Sequence, residues 1–141
     1  MPLLIMLIRP IPHLSFESLD SSTGIRKIFG VRLLCGVEIT HVPPSQIADL
    51  AKTAKDAGAD IVVVHGETPV EPVAAGTNHA ACGCKYVNVL AHPGLITIED
   101  ALLAARNGIA LEITSRGGHN RTNGHVARIA REARMPARCG L

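Results

Sequence analysis

The chain has 141 residues, 47% of them hydrophobic and only 2% aromatic, so it can fill the core of one domain with mainly aliphatic side chains. Its formal net charge of +2 at pH 7 is too small to indicate a nucleic-acid partner. The apolar opening, residues 1–8, is too short to cross a bilayer, lacks the flanks of a signal peptide, and is typical of a buried strand. These features predict a cytoplasmic protein with reduced thiols and no membrane partner.

From residue 31 onward, short β-branched runs alternate with segments that have helical spacing. Strands are predicted near residues 33–38, 60–64, 87–91 and 109–113, and helices at 46–57, at 98–106 and from about residue 123. Ser45 and Thr97 are expected to cap the first two helices. The weak pattern between residues 65 and 87 predicts a loop with one or two helical turns. This alternation indicates an α/β fold, in which helices cover a parallel sheet wound as a barrel arc or an open sheet.

Four side chains that can bind metal follow the ends of the predicted strands: Glu38, His65, His92 and Glu112. They are separated by 27, 27 and 20 residues, each about the length of one βα unit. Because parallel strands end at one rim of their sheet, we expect these side chains to converge there. Imidazole and carboxylate ligands suit Zn²⁺, Mn²⁺ or Fe²⁺. A histidine after a strand is also often an ordinary loop residue, whereas a carboxylate in an apolar strand needs a partner or a cation.

Further polar residues lie on loops beyond the same strand ends, where they could bind substrate or support the metal ligands. They are His41, Glu67, Arg116, His119 and His125. The planar guanidinium of Arg116 is suited to binding a phosphate group, although an exposed arginine is as often simply solvated.

Two other groups of residues have weaker signals. His79, Cys82 and Cys84 offer three soft ligands, but Cys-x-Cys is not a common zinc spacing and no second pair follows. A stripe of arginines on the last helix is typical of a solvated face and occasionally of contact with a nucleic-acid backbone. The stripe consists of Arg128, Arg131 and Arg134.

Several motifs stand at successive predicted strand ends or near the last helix. They are Gly36-Val-Glu38, Val64-His65, Leu90-Ala-His92-Pro-Gly94, Leu111-Glu112-Ile113 and Thr122-Asn-Gly-His-Val-Ala-Arg128. Together they resemble the PHP family of phosphoesterases, which includes histidinol phosphatases. The resemblance implies part of a distorted (β/α)7 barrel with a multinuclear Zn, Mn or Fe site at its C-terminal rim. It also implies hydrolysis of a small phosphate monoester by a metal-bound hydroxide, with Glu38, His65 and His92 as catalytic ligands and Glu112 as a further metal ligand.

The chain departs from that family at both ends, since it has neither the opening His-x-His strand nor the closing Asp-x-His strand. We therefore expect an impaired phosphatase with a divergent segment at 1–30, a βα domain at 31–134 and an irregular tail at 135–141. Two alternatives stay open. One is a non-catalytic, nucleic-acid-associated PHP remnant, which the arginine stripe would favour, and the other is a metal-free α/β binding module. The expected partner is a small phosphorylated molecule rather than a nucleic acid, and oligomerisation stays open.

Overall fold

The computed structural model describes residues 4–10 and 32–135 of the protein, with side chains from residue 34 onward. Within these residues, five parallel strands form one sheet, and their order in the sheet is their order along the chain. The strands are Leu4–Pro10 (β1), Arg32–Ile39 (β2), Ile61–His65 (β3), Val89–Ala91 (β4) and Ala110–Leu111 (β5). The predicted α/β class and the parallel pairing of the four strands from residue 33 onward are confirmed. The apolar opening also forms a strand, β1, but the burial of its side chains lies outside the described residues.

Four α-helices and two short 3-10 turns lie among the described residues. The helices are Ile47–Asp56 (α1), Thr77–Cys82 (α2), Ile98–Asn107 (α3) and Asn123–Glu132 (α4), and the 3-10 turns are Pro44–Gln46 and His119–Thr122. Three of these helices begin within one residue of their predicted starts. The short helix α2 occupies the segment for which the sequence predicts one or two helical turns.

One of the two predicted helix caps is confirmed. The side chain of Thr97 accepts a hydrogen bond of 3.1 Å from the backbone N–H of Asp100, which caps α3, and Gly108 ends the helix in the left-handed region with φ 69°. The prediction for Ser45 is wrong, because the 3-10 turn Pro44–Gln46 precedes α1 and no side chain caps the helix. Pro44 occupies the first position of that turn, which a proline's fixed φ favours, so Ser45 lies inside the turn.

The helices and the sheet enclose an aliphatic core. Strand β3 is buried along nearly its whole length, as expected for a central parallel strand that is covered on both faces. Helix α1 buries Ile47, Ala51 and Ala54, which are spaced to lie on one helical face. The largest fully buried aliphatic side chains are Ile39, Ile47, Val62, Val64, Leu90, Ile96, Ile109 and Val126. This core fixes the strand ends, and polar residues follow each strand from β2 to β5 at one rim of the sheet.

Two further expectations concern the extent of the domain and its relation to a membrane. The division into segments 1–30, 31–134 and 135–141 stays a prediction, because residues 1–3, 11–31 and 136–141 lie outside the described part of the chain. Among the described helices, none has the length and apolar character needed to cross a membrane.

Candidate functional site

Three buried histidines meet at the rim of the sheet. His65 is the last residue of β3, His92 directly follows β4, and His119 begins the 3-10 turn after β5. Their ring centroids are separated by 5.0 Å (His65 to His92), 4.6 Å (His92 to His119) and 6.0 Å (His65 to His119). One ring nitrogen from each histidine lies within 4.8 Å of the others. We call these three residues the histidine cluster.

Hydrogen bonds to the backbone orient two rings of the histidine cluster. Nδ1 of His65 lies 3.2 Å from the carbonyl oxygen of Gly66, and Nδ1 of His119 lies 3.4 Å from that of Gly117. A carbonyl only accepts, so Nδ1 of His65 carries the proton and the neutral ring has its lone pair on Nε2, whereas Nε2 of His119 donates to the Glu71 carboxylate at 3.0 Å. Nε2 of His65 is buried and forms no hydrogen bond within the described residues. His65 therefore presents a nitrogen that is ready to bind a cation.

Glu112 supports His92 from the end of β5. Its Oε2 accepts a hydrogen bond of 3.1 Å from the backbone N–H of His92. The same oxygen lies 2.7 Å from Nδ1 of the ring, although that nitrogen is not aligned for a hydrogen bond. Burial acts to raise the pKa of Glu112, but the contacts with His92 outweigh it and hold the pKa below its usual value. Glu112 is therefore an ionised carboxylate beside the histidine cluster.

Glu71 is the second carboxylate beside the histidine cluster, and it comes from the loop between β3 and α2. Its Oε1 lies 3.0 Å from Nε2 of His119 and 3.1 Å from the guanidinium of Arg116. Its Oε2 faces Nε2 of His65 at 3.4 Å and that of His41 at 4.0 Å. Burial acts to raise the pKa of this carboxyl, but the neighbouring His65, Arg116 and His119 lower it overall. Two cluster nitrogens thus face one ionised carboxylate.

The charges in this pocket fit a divalent cation. A neutral His65 directs its Nε2 lone pair at the Glu71 carboxylate 3.4 Å away, which is repulsive unless a positive charge lies between them. Protons are poorly suited to that role at His65, because desolvation, followed by the charge of His92, lowers its pKa. A divalent ion would satisfy the imidazoles and both carboxylates together. Nitrogen with carboxylate oxygen is also a ligand set that Zn²⁺, Mn²⁺ and Fe²⁺ accept.

The backbone around the histidine cluster is tightly constrained. His41 and His92 adopt left-handed conformations with φ 53° and φ 47°, which are uncommon for residues other than glycine and occur often at functional sites. Asn78 joins the two neighbouring loops, since its side chain donates to the carbonyl of Pro93 at 2.8 Å and accepts from the N–H of Glu67 at 3.0 Å. The Glu67 carboxylate accepts in return from the N–H of Asn78 at 2.8 Å, so it stabilises the loop and does not face the histidine cluster.

The structure brings together most of the predicted site residues. Glu38 is half-buried at the end of β2, and its charge acts on His65. The ring of His41 stacks on that of His65 with centroids 5.8 Å apart. His125 does not join them, because its Nε2 donates to the carbonyl of Ile96 at 2.8 Å. Metal binding by Glu38, His65, His92 and Glu112 stays a prediction, as does substrate binding by Arg116, His119, His41 and His125.

The alternative soft-ligand group does not form a cluster within the described residues. His79 pairs with Asp100 at 2.7 Å and is largely exposed, whereas Cys82 and Cys84 are buried. Burial, followed by the negative charge of Asp100, raises the pKa of the Cys82 thiol to about 12. A protonated thiol is a poor metal ligand, so these residues pack the space between α2 and α3.

The C-terminal part of the described chain is strongly basic, whereas the rest is acidic. Residues 34–112 contain nine acidic residues and four lysines or arginines, but residues 113–135 contain five arginines and one glutamate. All five arginines are exposed, while α4 buries Val126 and Ile129 against the domain. We call these five exposed arginines of residues 113–135 the arginine face: Arg116, Arg121, Arg128, Arg131 and Arg134.

Comparisons with known proteins relate the fold to an RNA-containing assembly. The chain is similar to a chain in the cryo-EM structure of archaeal ribonuclease P with mature tRNA, with a TM-score of 0.73 and 17% identity over 97% of this chain and 63% of that one. It is also 58% identical over 100 residues to an uncharacterized protein of Methanocaldococcus jannaschii, a match that covers 71% of this chain. The chain spans 46% of the length of that relative. No family model matches the sequence.

These comparisons overturn the phosphoesterase interpretation. The structural neighbour belongs to a ribonuclease P complex with tRNA and the sequence relative is uncharacterized, so neither indicates a PHP phosphoesterase. The prediction of a PHP-type phosphoesterase acting on a small phosphate monoester is therefore wrong. Histidines and carboxylates at successive strand ends are positioned by the parallel sheet, which proteins of many unrelated functions share.

The prediction that the partner is not a nucleic acid is also wrong. It relied on the net charge of the whole chain, which conceals how the charges are distributed along the sequence. The net charge of +2 conceals an acidic region, residues 34–112 with a net charge of −5, beside a basic one, residues 113–135 with a net charge of +4. A nucleic acid responds to the local field of a surface rather than to the net charge of the chain.

Proposed function

We propose that this chain is an RNA-associated α/β domain that acts by binding rather than by hydrolysing phosphate esters. The observation that carries the proposal is the arginine face, five exposed arginines on a fold shared with a chain of archaeal ribonuclease P. That neighbour was determined in a complex with mature tRNA, so structured RNA is the nucleic acid we propose for this chain.

The chemistry of the arginine face suits an RNA backbone. A guanidinium presents a planar fork of donors that matches two phosphate oxygens, and it stays charged at any physiological pH. Arg128 and Arg131 lie three residues apart on α4, about 4.5 Å along the helix axis, and Arg134 follows the end of that helix. Of these, Arg128 is partly neutralised by Glu132 at 2.9 Å, whereas Arg131 forms no side-chain ion pair with any described residue. We propose Arg131 as the central phosphate contact.

The open sheet fits an arc of a βα barrel. Its five strands lie in sequence order without a reversal, which is how strands are arranged around a barrel, whereas a doubly wound sheet has a switch point. We propose that the longer relative completes such a closed structure. We further propose a cytoplasmic location, which the buried, reduced thiols of Cys82 and Cys84 support.

A second candidate function is divalent-cation binding at the histidine cluster. The observation that favours it is the buried Nε2 of His65, which has no hydrogen-bond partner among the described residues and points toward a carboxylate. His65, His92 and His119 would hold the ion, with Glu112 beside them and Glu38 nearby. A bound Zn²⁺, Mn²⁺ or Fe²⁺ would supply positive charge that cross-links the rim loops.

The test of RNA association is fluorescence anisotropy with labelled tRNA over a series of salt concentrations. Arg128→Ala combined with Arg131→Ala should weaken binding about tenfold and reduce the slope of log Kd against log salt by about 2, one for each lost phosphate contact. The matched control is Lys52→Ala combined with Lys55→Ala, which removes two positive charges from the acidic region. The proposal fails if wild-type protein does not bind at 100 μM, about the weak limit of non-specific association, or if both double variants lose affinity equally.

A further inference from the structure

Glu71 connects the two regions that are proposed to bind ligands. Its Oε1 lies 3.1 Å from Arg116 of the arginine face and 3.0 Å from His119 of the histidine cluster. Its Oε2 lies 3.4 Å from Nε2 of His65. Glu71 is half-buried, with 26% of its side chain exposed, whereas Arg116 is 57% exposed. One carboxylate therefore holds an exposed arginine on one side and faces two buried imidazoles on the other.

The contact between Glu71 and Arg116 lies at the start of the basic segment of the chain. Arg116 precedes His119 by three residues, and His119 begins the 3-10 turn that leads directly into α4. Gly118, between them, has φ 82°, a left-handed conformation that favours glycine. A change in what Glu71 binds therefore acts on the start of the basic segment, residues 113–135.

We propose that Glu71 couples cation binding to RNA binding. A divalent cation on the histidine cluster draws the Glu71 carboxylate to itself, and Arg116, which that carboxylate holds in this structure, becomes available for an RNA phosphate. The coupling rests on the proposed RNA-binding function, whereas the competition between the cation and Arg116 for Glu71 does not.

The magnitudes favour the cation in this competition. The pair formed by Arg116 and Glu71 is exposed on its arginine side, and such pairs contribute little because water screens them. A cation bound to the buried imidazoles would lie closer to the protein interior, where screening is weaker and attraction to a carboxylate is stronger. Both oxygens of Glu71 already lie within 3.4 Å of cluster nitrogens, so only a small movement is needed.

The first experiment measures zinc affinity by competition with a chelator, using the full chain and ZnCl₂ alone as the probe. Arg116→Ala should tighten zinc binding about two- to fivefold, the size of an exposed ion pair, because it removes the competitor for Glu71. Glu71→Gln should weaken zinc binding about tenfold. Arg106→Ala, which removes an exposed arginine at the end of α3, is the control for lost charge and should change nothing.

A double-mutant cycle separates competition from simple charge repulsion. In the Glu71→Gln background, Arg116→Ala should no longer affect zinc affinity, because the carboxylate for which the two cations compete is gone. If Arg116→Ala tightens zinc binding equally with and without Glu71, or does not tighten it at all, the proposed competition is refuted. Arg116 is exposed, so Arg116→Ala in the otherwise wild-type chain still tests whether zinc binding tightens if Glu71→Gln disturbs the fold.

The second experiment measures tRNA affinity with and without ZnCl₂. Zinc should tighten tRNA binding about threefold for wild-type protein, and tRNA should tighten zinc binding by the same factor, since linkage is reciprocal. Glu71→Gln and Arg116→Ala should each abolish this effect of zinc on tRNA affinity. Zinc bound to the RNA would act on all variants alike, so the two variants also control for that possibility. Wild-type protein that binds tRNA equally in both conditions would refute the coupling and leave RNA binding intact. A chain that binds no tRNA at all would refute both, and the zinc cycle alone would then judge the competition for Glu71.

Discussion

The histidine cluster and the arginine face are built in opposite ways. The three histidines are buried, held by strand ends and backbone hydrogen bonds, and matched by the carboxylates Glu71 and Glu112. The arginines are exposed. Two of them, Arg128 and Arg131, lie on α4, whose other side is packed, and residues 113–135 contain five arginines but one glutamate. The first arrangement is organised before a small ion arrives, and the second leaves uncompensated charge for a large anion. The four predictions below test whether the two regions can be separated.

Gly94→Ala should have the largest effect, and it should fall on the histidine cluster. Gly94 has φ 59°, and a Cβ there would collide with the carbonyl of Glu67 in the neighbouring loop. We expect a loss of about 3 kcal/mol in the free energy of unfolding, from the clash together with the strained backbone. Urea denaturation measures this loss. Because His92 precedes Gly94 by two residues, zinc affinity should fall as well.

Gly108→Ala is the matched control for that change. Gly108 is also left-handed, with φ 69°, but no atom of the described residues lies within 4 Å of the position of its Cβ. This variant should lose only about 1 kcal/mol, the cost of the conformation alone. Equal losses in the two variants would show that the close contact between the loops does not hold the histidine cluster.

His65→Ala should have the second-largest effect. It should show most directly that the histidine cluster and the arginine face act separately. It removes one of three imidazoles, and zinc affinity should fall by at least about 100-fold, more than is typical for a supporting residue. Affinity for tRNA in chelator-treated buffer should stay unchanged, because the arginine face is intact. His79→Ala removes an exposed histidine that pairs with Asp100 and should leave zinc affinity as in wild type. A His65 variant that keeps its zinc would exclude the histidine cluster as the cation site.

The sequence predicts the strands and helices that carry this site better than it predicts which residues form the site. β-branched runs and helical spacing locate β2 to β5 and the helices α1, α3 and α4, because burial on a sheet or along one helix face imposes a period on the sequence. The same periods place Glu38, His65, His92 and Glu112 at strand ends. They do not specify which of these residues bind an ion.

Glu71 could not be found in this way. It lies in a loop next to Pro72, where no periodicity applies, and its partners His119 and Arg116 are 48 and 45 residues away along the chain. Its role arises only when the loops after β3 and β5 meet at the rim. The phosphoesterase interpretation failed because motifs at strand ends indicate an architecture that many functions share. The arginine face was missed because the net charge of the chain conceals its local excess of positive charge.

Arg131→Glu should have a smaller effect, and it should fall on the arginine face alone. The exposed Arg131 has no ion pair among the described side chains, so reversing its charge replaces attraction to phosphate by repulsion. We expect tRNA binding about tenfold weaker, with a shallower dependence on salt, and unchanged zinc affinity. Lys85→Glu makes the same change in net charge on the acidic region. If both variants weaken binding equally, the arginine face has no special role and overall charge controls association.

Thr97→Ala should have the smallest effect and should alter stability without altering either region. The Thr97 hydroxyl accepts from the N–H of Asp100 at 3.1 Å and caps α3, which contributes no residue to the histidine cluster or the arginine face. Loss of such a cap costs about 1 kcal/mol of the free energy of unfolding, measured by urea denaturation. Ser45→Ala is the control, because Ser45 lies in a 3-10 turn where no side chain caps α1, so its removal should cost close to nothing. Zinc and tRNA affinities should match wild type in both variants, since the folded state stays fully populated after a loss of this size. A Thr97 variant with weakened binding would show that α3 transmits strain to the rim, and the two regions would then be less separable than their contacts indicate.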